Sequence, residues 1–194
     1  CLEHKIALTG HPAEADEIGF LKYFNLPGQD VVLKRIEPGT ANVLEGSEST
    51  QAKCSSDAAR HGGKRRNVNE CFGGYGWELS VAQMKSILDW LFVRGVNLII
   101  PHAFYYSLAG ARYQERPPDV GPNNLWWPHY KLISTYIKRM SWLLTDSINQ
   151  AKVAVLCGED GLSWEITKPL FQHQIEFNYL PSDVFCSVSS VIKK

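Results

Sequence analysis

What this chain lacks narrows its reading first. No run in its 194 residues approaches the roughly 18 consecutive apolar positions that a membrane-spanning helix needs, so no membrane partner is expected. It has no excess of either charge: Lys plus Arg and Asp plus Glu number 20 each. A zero balance argues against a nucleic-acid partner held by bulk electrostatics. The one basic cluster, Lys64-Arg65-Arg66, reads as a solvated turn before a strand, with a phosphate site as the alternative. The five cysteines (Cys1, Cys54, Cys71, Cys157, Cys186) are scattered, and no pair has CxxC spacing. Neither a disulfide framework nor a zinc site is therefore expected, and reduced thiols lean towards a cytoplasmic location. No basic-then-apolar leader opens the chain, so no signal peptide is expected. Its start at Cys1, directly before a strand-like run, reads as a boundary inside a longer protein. Internal repeats and low-complexity tracts are also missing.

What is present is an alternation of strand-like and helix-like segments in a chain that is 44% apolar, enough for a proper core. "HKIALTGH" (4–11) reads as a strand, "EADEIGFLKYF" (14–24) as a short helix, and "QDVVLKRI" (29–36) as a second strand. A polar helix is expected over 47–60, stopped by Gly62-Gly63, and "RRNVNECF" (65–72) as the third strand. Ser80 and Gln83 have the spacing of a capping box, and Val81, Met84, Ile87, Leu88 and Leu91 follow as a helical stripe. "VNLIIPHAFYYS" (96–107) is the fourth strand, followed by a long Pro-rich loop. Tyr130, Ile133, Ile137, Met140 and Leu144 mark one face of the next helix. After Asn149 the pattern restarts, with "AKVAVLCG" as a buried strand, a helix over 164–173 and "IEFNYL" as a further strand. This alternation predicts an α/β fold with parallel strands. Four βα units in about 148 residues are the size of half a (β/α)8 barrel, so residues 1–148 are expected to form a half-barrel. Residues 149–194 are expected to begin a second α/β domain.

In parallel α/β folds functional groups gather at the C-terminal ends of the strands. There this sequence places His11, then Asn69 and Glu70, then His102, Phe104, Tyr105 and Tyr106, with Tyr75 and Trp77 on the glycine loop "CFGGYGW". Asp30 falls at the start of its expected strand and reads as part of the "LPGQD" turn. Each residue has an ordinary structural reading, such as Glu70 buried against Arg65 or Arg112, or Trp126 and Trp127 as helix anchors. Together, a carboxylate, imidazoles, an amide and aromatics suit a polyhydroxylated ligand. Aromatic rings cover sugar C–H faces, polar groups bind hydroxyls, and a carboxylate can act at the anomeric carbon. Glu70 is thus the candidate catalytic residue, and His11, Asn69, Tyr75, Trp77, His102 and Tyr106 are the candidate substrate contacts. Period-2 alternation also predicts His102 pointing into the barrel and Tyr105 packing outward on the helices.

"NECFGGYGWELSVAQMKSILDWLFVRGVNLIIPHAFYYS" followed by "ERPPDVGPNNLWWPHYKLISTYIKRMSWLL" resembles the barrel region of bacterial glycoside hydrolases of the family 106 α-L-rhamnosidase type. More loosely it is similar to the family 42 β-galactosidase type. The resemblance implies the C-terminal half of a (β/α)8 TIM barrel, with Glu70 on the penultimate strand and His102 on the last. It implies a flavodoxin-like α/β domain after the barrel. In the retaining barrel clan the penultimate strand bears the nucleophile, whereas in the inverting family 106 a Glu pair serves as acid and base. Glu70 matches a catalytic position under either scheme, and its partner carboxylate is expected upstream of Cys1. Some rhamnosidases of this type use calcium, but no acidic cluster here has calcium-loop spacing, so neither metal nor cofactor is expected.

The leading expectation is therefore a fragment of a glycoside hydrolase cleaving terminal sugars, inactive alone. Its partners would be a carbohydrate substrate and either another copy or the missing barrel half, which would cover the edge strands. The alternative is a non-catalytic carbohydrate-binding or scaffold barrel. A third reading, an amidotransferase-like activity at Cys157 in "VLCGEDG", lacks the glycine-flanked elbow that would expose a nucleophile.

Overall fold

The computed structural model describes residues 1 and 3–192, and the side chains up to 187. Four strands, β1 (Thr9–Gly10), β2 (Leu26–Val31), β3 (Val68–Cys71) and β4 (Leu98–Pro101), form one all-parallel sheet in the order β1-β2-β3-β4. Between and after them run α1 (Gln51–His61), α2 (Val81–Phe92) and α3 (Tyr130–Leu144). A separate two-stranded parallel sheet joins β5 (Val153–Cys157) to β6 (Phe177–Pro181) through α4 (Trp164–Gln172), with α5 (Ser182–Ile192) after it. The molecule is thus mixed α/β with parallel sheets. No helix among the described residues is long and apolar enough to cross a membrane.

The capping box decides where α2 begins. Ser80 Oγ accepts from Gln83 N, and Gln83 Oε1 accepts from Ser80 N, so two otherwise free amides are satisfied. Met84, Ile87, Leu88 and Leu91 are fully buried, while Val81, at the first turn, is exposed. The stripe packs on Val31, Cys71 and Ile99, one residue from each of β2, β3 and β4, to make the main core. From α3 it receives Ile133, with Tyr130, Ile137, Met140 and Leu144 partly buried on the same side. This face of the sheet therefore points at the helices. The opposite face carries Asp30, Glu70 and Ile100, which stand in lateral register, and Ile100 is 46% exposed there.

Several elements differ from the sequence expectation. The first strand shrinks to Thr9–Gly10, because a turn ties His4 and Ile6 to the Cys1 carbonyl. The helix expected over 14–24 is a single 3-10 turn, Gly19–Tyr23, pinned by a bond from Gly19 N to Glu159 O. A Cβ on Gly19 would lie 2.5 Å from that of Glu159, so glycine admits this contact. The second strand starts earlier than expected, at Leu26, and ends at Val31. Pro27 and Gly28 lie inside it rather than in a turn. Pro27 faces only β1, since pairing with β3 begins at Gly28, so its missing N–H costs no bond on that side. A Cβ on Gly28 would come within 2.5 Å of Gly10 O and 2.7 Å of Val68 Cγ1, so this glycine serves close strand approach.

The fourth strand stops at Pro101, because the chain leaves β3 after one more bond, His102 N to Cys71 O, and Ala103 pairs with Val120 instead. Strand β5 is not buried on both faces: Val155 is buried, whereas Val153 and Leu156 are exposed. The polar helix α1 is, by contrast, buried from Gln51 to Ala59. It lies between the first sheet and β6, and Cys54 and Ala58 join Ile18, Leu21, Val155, Leu162, Phe177 and Tyr179 in a second core.

Candidate active site at the strand ends

The C-terminal ends of β2, β3 and β4 bring Asp30, Glu70 and His102 to one rim. Asp30 and Glu70 are paired residues of adjacent parallel strands, so their backbones lie about 4.8 Å apart and their side chains share a face. Glu70 Oε1 is 4.0 Å from His102 Nε2, and its side chain is 35% exposed. Asp30, 11% exposed, is bound by Arg35 Nη1 at 3.0 Å and lies 4.0 Å from His11 Nδ1. Arg35 also reaches Glu48, Nε to Oε1 at 3.6 Å, where burial pushes the Glu48 carboxyl up against the pull of Arg35. The two carboxylates therefore differ in kind. Asp30 has a guanidinium counter-charge, whereas Glu70 faces only an imidazole.

The glycine loop after Glu70 makes this geometry possible. A Cβ on Gly73 would lie 2.7 Å from His102 Cγ, and one on Gly74 would lie 2.7 Å from Leu33 Cδ2. Gly74 and Gly76 also take the left-handed region, φ +76° and +96°. Their amides donate to Arg116 O and Pro117 O, both at 2.9 Å, which ties the loop to the segment after β4. Trp77 stacks on Tyr113 at 4.9 Å, meets Tyr105 edge-on, and donates from Nε1 to Tyr113 O. Asp119 is buried and accepts from Tyr105 N, Gly121 N and Asn123, which organises this loop from within.

Of the residues proposed from sequence, Glu70, His102 and His11 stand at the rim, and Trp77 lies on the loop beside it. Tyr106 is 98% exposed beyond the strand end. Three placements correct the expectation. Asn69 is fully buried on the helix-facing side, because adjacent strand residues alternate and its parity is that of Cys71, not Glu70. Tyr75 belongs to the core, with its hydroxyl donating to Ile36 O and accepting from Ile36 N, so that hydroxyl is already engaged by backbone. Tyr105 does not pack on the helices either. With β4 ending at Pro101, strand parity no longer governs it, and its hydroxyl donates to Glu115 O. Arg65 is engaged with Asp146 and does not pair with Glu70. Asp30 was the residue missed from sequence, hidden because Pro27-Gly28 resembled a turn.

Among the described residues no group of three or more His, Cys, Asp or Glu is placed to hold a metal ion. Cys157 is a half-buried thiol that burial pushes up to about 11, so it is protonated at neutral pH and a poor nucleophile.

No family model matches the chain. It is 28% identical over 115 residues to a protein of Formosa agariphila provisionally named a beta-glucuronidase, a match to 57% of this chain and 10% of that protein. In fold it is similar to a rhamnosidase from Novosphingobium sp. PP1Y, with a TM-score of 0.70 and 17% identity over 94% of this chain and 19% of the rhamnosidase chain. The chain thus spans about a tenth and about a fifth of the proteins it matches.

Proposed function

We propose that this chain carries part of the active site of a glycoside hydrolase, with Glu70 as its acid, base or nucleophile. The observation that carries this reading is the contrast between two carboxylates on one rim: Asp30 is neutralised by Arg35, and Glu70 is left beside His102 and open to solvent. A carboxylate that acts on a glycosidic bond must be reachable and free of a fixed counter-ion. In this reading His102 orients Glu70, while Asp30 and His11 meet sugar hydroxyls.

The finer architecture belongs to the same proposal. Residues 1–148 are read as the C-terminal half of a (β/α)8 barrel, and 149–194 as the start of a flavodoxin-like domain. Four parallel strands with helices against one face, and likeness to a fifth of a rhamnosidase chain, support this. So does the open face at Ile100, which a second half would cover. The rhamnosidase likeness also favours the family 106 type. The second carboxylate would then come from a strand outside this chain, and its distance from Glu70 sets the outcome: about 5–5.5 Å for retention, about 6.5–9.5 Å for inversion.

The test is Glu70→Gln in the full-length protein, assayed on aryl rhamnosides, glucuronides and galactosides. The amide keeps shape but cannot transfer a proton or attack, so cleavage should fall at least ~10²-fold with the melting temperature unchanged. Retained cleavage would sink the reading.

A further inference from the structure

His102 lines a cavity of about 410 Å³ together with Tyr105, Tyr106, Arg112, Glu115 and Arg116. Its two arginines are exposed and, like Arg139, unpaired among the described residues. Arg35, Arg60, Arg65, Arg66 and Arg94 each bind a carboxylate or a carbonyl, whereas the guanidiniums of Arg112 and Arg116 have no hydrogen-bond or ion-pair partner among the described residues. Glu115 lines the same cavity, and neither arginine is bridged to it, so the lining carries two positive groups against one negative.

The backbone at Arg116 is also tied to the loop after Glu70. Arg116 O accepts from Gly74 N, and Pro117 O from Gly76 N, so the segment is fastened to the loop that follows Glu70. The Tyr105 hydroxyl donates to Glu115 O from the other side. A guanidinium presents a planar fork of donors that matches an oxyanion and has little to offer a neutral hydroxyl. Tyr105 and Tyr106 add aromatic faces on which a sugar ring can lie.

We propose that this cavity is the subsite for an acidic saccharide, whose carboxylate or sulfate ester is taken by Arg112 and Arg116 while its ring lies against Tyr105 and Tyr106. The inference rests on the reading of the Glu70 rim as a glycosidase site and names the class of sugar that it takes. It also gives a role to the two unpaired cations that share this cavity with His102: they offset the charge of an anionic sugar.

Matched methyl glycosides of gluco, galacto and manno configuration, each as the neutral sugar, the uronate and the 6-sulfate, test this by calorimetric titration of the full-length protein. An acidic member should bind at least tenfold more tightly than its neutral counterpart, a difference of about 1.4 kcal/mol. Which acid binds tells carboxylate from sulfate. In Arg112→Ala/Arg116→Ala that preference should vanish while the neutral sugar binds as before. Paired Lys substitutions should restore part of it, since charge returns without the fork. Equal binding of acidic and neutral sugars, or an equal loss of both in the double alanine variant, would overturn the subsite. That result with cleavage still lost in Glu70→Gln would leave the glycosidase reading standing. Binding of no sugar at all would overturn both.

Discussion

Gly73 shows how one residue without a side chain shapes the rim. The His102 ring occupies the space a Cβ would need, and that is what lets the imidazole reach within 4.0 Å of Glu70. Tyr75, two residues on, looks equally functional in the sequence and is not. Its hydroxyl closes a reciprocal pair with the Ile36 backbone inside the core. Tyr75→Phe should therefore cost about 1–3 kcal/mol in a urea titration, because the buried Ile36 amide loses its partner. Glycoside cleavage by the folded variant should be unchanged. Lost cleavage at full stability would put the ring back in the pocket.

Among the elements, α2 was readable in advance because every signal that defines it is local. Its box spans four residues and its stripe about three turns, and both act within the helix or on its one buried face. Ser80→Ala should cost about 1 kcal/mol, measured by chemical denaturation. Gln83→Ala should add less on top of it than on its own, since the two side chains share the box. An additive double variant would mean that the box carries no coupling. Strand β2 was misread, and the burial of helix α1 was not foreseen, for the opposite reason. Pro27-Gly28 behaves as a strand only because β1 and β3 approach it closely, and α1 is buried only because β6 covers its polar side.

At the scale of the whole molecule, Lys53 is one of the residues that tie α1 to the second sheet. It is 1% exposed, and its Nζ lies 3.4 Å from Asp57, 3.0 Å from Glu176 and 3.2 Å from Asn178, the last two belonging to the β6 region. Asp57 also accepts from Tyr179 N and binds Arg60. A buried ion pair stripped of one partner typically loses ~3–5 kcal/mol. Arg60 and the Tyr179 amide stay with Asp57, so Lys53→Met should sit near ~3 kcal/mol. It should also let a protease cut near 149–153 while the first sheet stays protected. Uniform loss of protection across the chain would mean that the two sheets unfold as one.

What the sequence determined by itself is whatever depends on near neighbours along the chain. The alternation of strands and helices, the parallel α/β class, the start of α2 and the position of Glu70 at a strand's end all follow from local periodicity and capping. The tertiary structure alone decided which face of each strand meets the helices and how far strand alternation runs, because both depend on what packs against the sheet. That moved Asn69 into the helix layer beside the core, brought Asp30 up to the rim beside Glu70, and released Tyr105 from strand parity. It also decided which charges were left over. Eight arginines look alike in the sequence, but pairing in the fold leaves Arg112, Arg116 and Arg139 free among the described residues, the first two beside His102.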